Sequence, residues 1–168
     1  MKERNYKAEV IVFILAIPLI LIILYLIWYC QQNKIRKEYL EKGIYEVEGN
    51  FGLGANGFLS TVFMICEPPS DRAELERVVI NFIEENDIVQ TLKARSIDWN
   101  GAPTQLDALD ITQIDLYFVE PSRDYPIGFD NGYHNGFFSG FITDHTIIEV
   151  RIPWDSTGKS DFSFIYWH

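Results

Sequence analysis

Residues 10–29 read VIVFILAIPLILIILYLIWY, twenty positions without one charge. At about 1.5 Å of rise per helical residue, such a run reaches roughly 30 Å, the hydrocarbon thickness of a bilayer. This stretch constrains the chain more than any other, because water is a poor solvent for all of its faces at once. The expectation is a single transmembrane helix, with everything after it working within reach of a membrane.

A cleaved signal peptide is the competing reading, and the basic start (Lys2, Arg4, Lys7) fits one. The apolar run exceeds an ordinary signal core, however, and no small-x-small cleavage site follows it. The exit reads Trp28-Tyr29-Cys30, and Tyr29 is too large for a lipoprotein cleavage site. The run therefore reads as a retained signal-anchor. It carries no ionisable residue that would mark an ion or proton path. Pro18 sits mid-span, where a kink is expected. Tyr25, Trp28 and Tyr29 crowd the exit end, where amphipathic rings favour the headgroup layer. Orientation rests on little: Lys2, Arg4, Lys7 and the terminal amine flank one side, and Lys34, Arg36, Lys37 and Lys42 the other. Only the shortness of the leading tail favours placing the domain outside the cytoplasm.

The division that follows is a basic tail (1–9), a transmembrane helix (10–29), a polar stalk (30–43) and a domain (44–168) long enough to bury a core of its own. Charge separates along the same line. Residues 1–45 hold seven Lys/Arg against four Asp/Glu, whereas residues 46–168 hold seven against twenty, or −13. An acidic domain is repelled by nucleic acid and by anionic headgroups, and suits a basic protein partner. Two cysteines, Cys30 at the membrane boundary and Cys66 at the end of an apolar run, make no disulfide framework.

Within the domain the expected class is α+β: a mostly antiparallel sheet with one long helix packed on it. Strands are expected at 44–50, 58–66, 111–119, 147–152 and 162–167. The string GLGANG at 52–57 matches G-x-G-x-x-G, but β-branched and aromatic residues follow where a phosphate-binding loop needs a helix N-terminus. It reads as a hairpin turn around Asn56-Gly57. After Pro68-Pro69, Ser70 is the expected N-cap of a helix whose stripe is Leu75, Val78, Val79, Phe82 and Ile83, ending by Asn86. Glu84 and Glu85, about 100° apart around that helix, read as its solvated end. Residues 88–97 are expected to be extended and 98–103 to turn. Along 111–119, Ile114, Leu116 and Phe118 should share the buried face.

The most unusual stretch is GFDN-GYHN-GFFS-GFIT at 128–143, four tandem units of Gly–aromatic–x–small polar. Flexible glycines with amphipathic rings are what adaptable binding surfaces use. Phe129, Tyr133, His134 and Phe137 are accordingly the candidate binding residues, although the same rings are equally suited to filling a core. A zinc or acid–base site can be assembled from Asp130, His134, Asp144 and His145, although no metal-ligand spacing supports it. No P-loop, G-x-S-x-G, H-E-x-x-H or EF-hand pattern occurs, so no catalytic residue, metal or cofactor is assigned. The function that best fits is a membrane-anchored binding protein, of inhibitor or immunity type, docking a protein partner. The alternatives are a small membrane-bound hydrolase or a structural subunit of an envelope assembly.

Overall fold

The computed structural model describes residues 6–47, 52–53, 57–100, 111–122, 125–128 and 144–167. The chain divides into two compact units, Met1–Glu38 and Tyr39–His168. Helix α1 (Tyr6–Lys42) supplies the first, and its last turn belongs to the second. It is long and apolar enough to span a membrane. Among its described side chains, the large apolar ones from Ile17 to Tyr29 are about half exposed all round, from 47% at Ile23 to 60% at Leu21. Gly43 ends the helix at φ +69°, a left-handed position that glycine adopts freely, and its N–H bonds back to the carbonyls of Tyr39 and Leu40.

The second unit runs β1 (Ile44–Glu46), β2 (Gly52–Leu53), β3 (Phe58–Ile65), α2 (Arg72–Glu85), α3 (Ile88–Asn100), β4 (Gln113–Val119), β5 (Thr146–Pro153), a 3-10 turn (Lys159–Asp161) and β6 (Ser163–Tyr166). The architecture is α+β. One sheet has the order β1-β3-β4-β5-β6, and β2 also pairs with β3. The partners of β1 and β2 on β3 do not overlap, so these two short strands follow one another along the same edge. A strand, not a helix, follows Gly57, which removes the geometry a dinucleotide fingerprint requires.

Alternation along each strand sorts the side chains to two faces. Toward α2 and α3 point Leu59, Phe63, Ile114, Leu116, Phe118, Ile148, Val150 and Ile152, which form the main core with Leu75, Val79, Ile83 and Leu92. The Ile114, Leu116 and Phe118 face is the one the sequence pattern selects, and all three are fully buried. On the opposite face a smaller cluster gathers Tyr45, Val47, Val62, Met64, Cys66 and Val119, packed against Tyr39, Leu40 and Tyr125. Cys66 is thus a core residue. Burial pushes its thiol pKa up, with Glu67 adding to the effect, and its Sγ donates to the Tyr39 carbonyl.

Three expectations need correction. Residues 88–97 are helical, and the helix continues through Asn100 where a turn was expected. Ile88, Val89 and Thr91 favour a strand locally, but Leu92 and Ser96 fall one turn apart and are both buried, so packing overrides propensity. Two helices therefore serve the sheet instead of one. The sheet is mostly antiparallel, as expected, and its parallel pair, β3 with β4, has α2 and α3 in the connection that such a pairing needs. Finally, the N-cap of α2 is Asp71, not Ser70; its carboxylate accepts the Glu74 N–H at 2.9 Å. Arg95 of α3 reaches back to β1 and holds Glu46 through two bonds of 2.7 and 2.8 Å, while Thr61 donates to the same carboxylate.

Candidate functional site

The candidate binding residues Phe129, Tyr133, His134 and Phe137 lie outside the described residues, as does Asp130. Of the acid–base grouping, Asp144 and His145 are described. They stand just before β5; the His145 carbonyl accepts the Glu120 N–H, and its ring meets Tyr125 edge-on at 6.5 Å. Among the described residues, no group of three or more His, Cys, Asp or Glu is placed to hold a metal ion.

The structure brings together a different polar set, on the sheet face away from α2 and α3. Register places Asp115 of β4 opposite Arg151 of β5, and Tyr117 opposite Glu149. Glu149 is fully buried, with 0% exposure. A buried carboxylate is tolerable only when paired and hydrogen-bonded. Its Oε1 accepts from Arg151 Nε, and its Oε2 accepts from the Trp167 indole N–H at 3.1 Å. Asp115 is nearly as buried, at 5%, and its Oδ1 accepts from the Gln113 side-chain amide. Arg151 spends its Nε on Glu149, so Asp115 shares that cation only across space.

Electrostatics follow from this asymmetry. Burial is the largest influence on Asp115 and pushes its carboxyl pKa up; the Gln113 bond and Arg151 oppose it, and Glu149 reinforces it. The Tyr117 phenol is pushed up to about 12, first by burial and then by the Glu149 and Asp115 carboxylates. The arrangement is two acids sharing one guanidinium beside a phenol that stays neutral. No sequence signal isolates these residues, because charged positions alternating with Ile148, Val150 and Ile152 read as an ordinary solvent face.

A raised carboxyl pKa in the folded state stabilises the fold below the ordinary carboxyl range, and that contribution is lost as pH rises through the folded value. Asp115→Asn keeps an oxygen for Gln113 and removes the charge. It should raise stability near neutral pH by about 1 kcal/mol, the scale of a relieved buried charge that retains its hydrogen bond. The gain should shrink toward the ordinary Asp value of about 3.9. Urea melts of both proteins across pH check this; a variant less stable at neutral pH would mean that Asp115 is held as a favourable anion.

Two clefts open elsewhere on this unit, either side of the C-terminal end of α2. One, of about 440 Å³, lies against the 3-10 turn, with Ile83, Val89 and Phe162 among its lining residues. The other, of about 520 Å³, lies against residues 42–44, with Ile44, Val78 and Phe82 among its lining residues. Compared with known proteins, the chain matches no family model, no curated protein and no solved structure.

Proposed function

We propose that the chain is a single-pass membrane protein whose acidic domain docks a protein partner close to the bilayer. The observation that carries the anchoring part is the uncovered surface of α1. Its described apolar residues from Ile17 to Tyr29 stand about half exposed on every side, among them Leu19, Leu21, Leu24 and Trp28. Water-soluble proteins do not leave an apolar surface of that size bare, and hydrocarbon is the solvent that fits its length. The aromatic residues Tyr25, Trp28 and Tyr29 lie against one another near one end, with ring centroids 6.0 and 6.3 Å apart, as a headgroup-layer belt would. The docking part is supported by the −13 charge of residues 46–168, which steers basic partners and repels nucleic acid.

The full-length protein should stay with membranes through alkaline carbonate extraction. Release into the supernatant removes the anchoring reading. Cross-linking of the domain to a partner in intact membranes should weaken as salt rises from about 0.05 to about 0.5 M, where the Debye length falls severalfold. Capture that ignores salt removes the electrostatic part.

A further inference from the structure

Strand β6 bounds one side of the sheet. It pairs with β5 through Ile148↔Tyr166, Glu149↔Ile165, Val150↔Phe164 and Arg151↔Ser163, and no described strand pairs with its other edge. Alternate N–H and C=O groups of such a strand point away from the sheet, and the structure whose own groups match their spacing is another strand. Sheets that keep an edge to themselves place a charge, a proline or a bulge on it. β6 reads Ser-Phe-Ile-Tyr and pairs with β5 without a register shift, so it carries none of these. Its length, four residues, is what limits an addition there. Phe164, Ile165 and Tyr166 are each only partly buried, whereas the apolar residues of β4 and β5 beside them are mostly covered.

The two faces of β6 carry different side chains. Phe164 and Tyr166 lie on the side of α2 and pack against the main core. The Tyr166 hydroxyl donates to Glu76, and the Arg72 guanidinium lies 4.6 Å from the centre of its ring. These contacts order the Tyr166 ring in advance, which spares an incoming strand that cost. Ile165 lies on the opposite face, beside Glu149 in the pairing.

A second copy of this chain complements that edge. Two antiparallel strands related by a twofold axis set residues of the same face opposite one another, and each contact across the axis occurs twice. With the axis at Ile165, Ile165 meets the second copy's Ile165, and Phe164 meets the second copy's Tyr166. Aromatic and β-branched pairs of this kind stabilise antiparallel ladders, and no charge on β6 is set against its like. We propose that β6 is a self-docking edge, along which two copies pair antiparallel and join two six-stranded sheets into one. Self-complementarity selects the occupant, because the same four residues supply both sides of every pair. The inference goes beyond partner docking and does not depend on it. The two are separable by salt: each copy carries −13 over residues 46–168, so self-pairing should tighten as salt rises, whereas docking of a basic partner should weaken.

The test uses the full-length protein in a non-ionic detergent, with self-association read by sedimentation across concentration. The parent should form dimers with a Kd below about 0.1 mM. Ile165→Lys and Ile165→Glu each set like charges opposite one another at the axis, and each should weaken self-association at least about tenfold, a change of 1.4 kcal/mol. Mixed together, the two variants should associate with each other at least about tenfold more tightly than either does with itself, a recovery that misfolding would not give. Cross-linking supplies the register. In a Cys30→Ser background, which leaves only the buried Cys66, Ile165→Cys should form a disulfide with its own copy. Ser163→Cys should not, because its mate lies four residues away along the paired strand, about 13 Å. A monomeric parent, a dimer indifferent to Ile165→Lys, or equal cross-linking at both positions overturns the proposal. An edge that binds an unrelated extended peptide while the chain forms no dimer also overturns it, and assigns the edge to a foreign strand.

Discussion

Phe118→Ala should cost about 3–5 kcal/mol, the range for truncating a fully buried aromatic ring. Phe118 has no exposed surface, and it joins three elements. Its ring stacks on Phe63 with centroids 5.3 Å apart and meets Phe82 edge-on at 6.3 Å, while Phe63 and Phe82 are 5.2 Å apart. The triad links β3, β4 and α2. Phe63 and Phe118 are direct partners in the parallel pairing, so the contact exists only in that register. Against a total of about 5–15 kcal/mol for a domain, the loss leaves a marginal fold that urea unfolds at much lower concentration. Phe63→Ala/Phe118→Ala should destabilise by less than the sum of the singles, since each removes the other's partner. A cost under about 1 kcal/mol, or strict additivity, would mean that the two rings do not meet and that the strands pair otherwise.

The parallel pairing is also where sequence reasoning stops. Helix α2 was legible because Leu75, Val79 and Ile83 repeat at helical spacing, and all three are buried. Its cap shifted by one residue because Ser70 and Asp71 are both competent caps and only backbone geometry chooses between them. Strand β4 was legible from the alternation of Ile114, Leu116 and Phe118. Helix α3 was not, because Ile88, Val89 and Thr91 prefer strands and the evidence for a helix, the burial of Leu92 and Ser96, is tertiary. Pairing order is non-local in the same way: nothing in residues 58–65 says that their neighbour lies beyond residue 110. The buried acids were hidden for a related reason. Asp115 and Glu149 occupy strand positions that alternate with core residues, and their burial depends on what covers that face rather than on their own strand. The Gly–aromatic units remain a reading of sequence, apart from Gly128, which has φ +94° and whose N–H donates to the Tyr45 hydroxyl.

A soluble fragment of residues 39–168 should fold normally, and one of 44–168 should be less stable by about 2–4 kcal/mol, the value of two large side chains partly removed from water. The difference is the last turn of α1. Tyr39 lies 4.3 Å from the ring of Tyr45, and Leu40 packs on the cluster of Tyr45, Val62, Met64 and Val119. The Gly43 carbonyl accepts the Cys66 N–H at 2.8 Å, and the Tyr39 carbonyl accepts from Cys66 Sγ at 3.2 Å. Neither fragment contains Cys30, so Cys66 is a single thiol that reports this contact. Its pKa is raised by burial, and a protonated, covered thiol reacts slowly. Removing residues 39–43 uncovers it and brings its pKa down toward the ordinary value, so labelling by a small thiol reagent should accelerate by at least about tenfold. Equal melting and equal labelling of the two fragments would show that the domain closes its second face without the helix. Unequal results make the end of α1 a structural part of the folded body, so the chain entering the sheet at Ile44 does so from a helix end already packed against it.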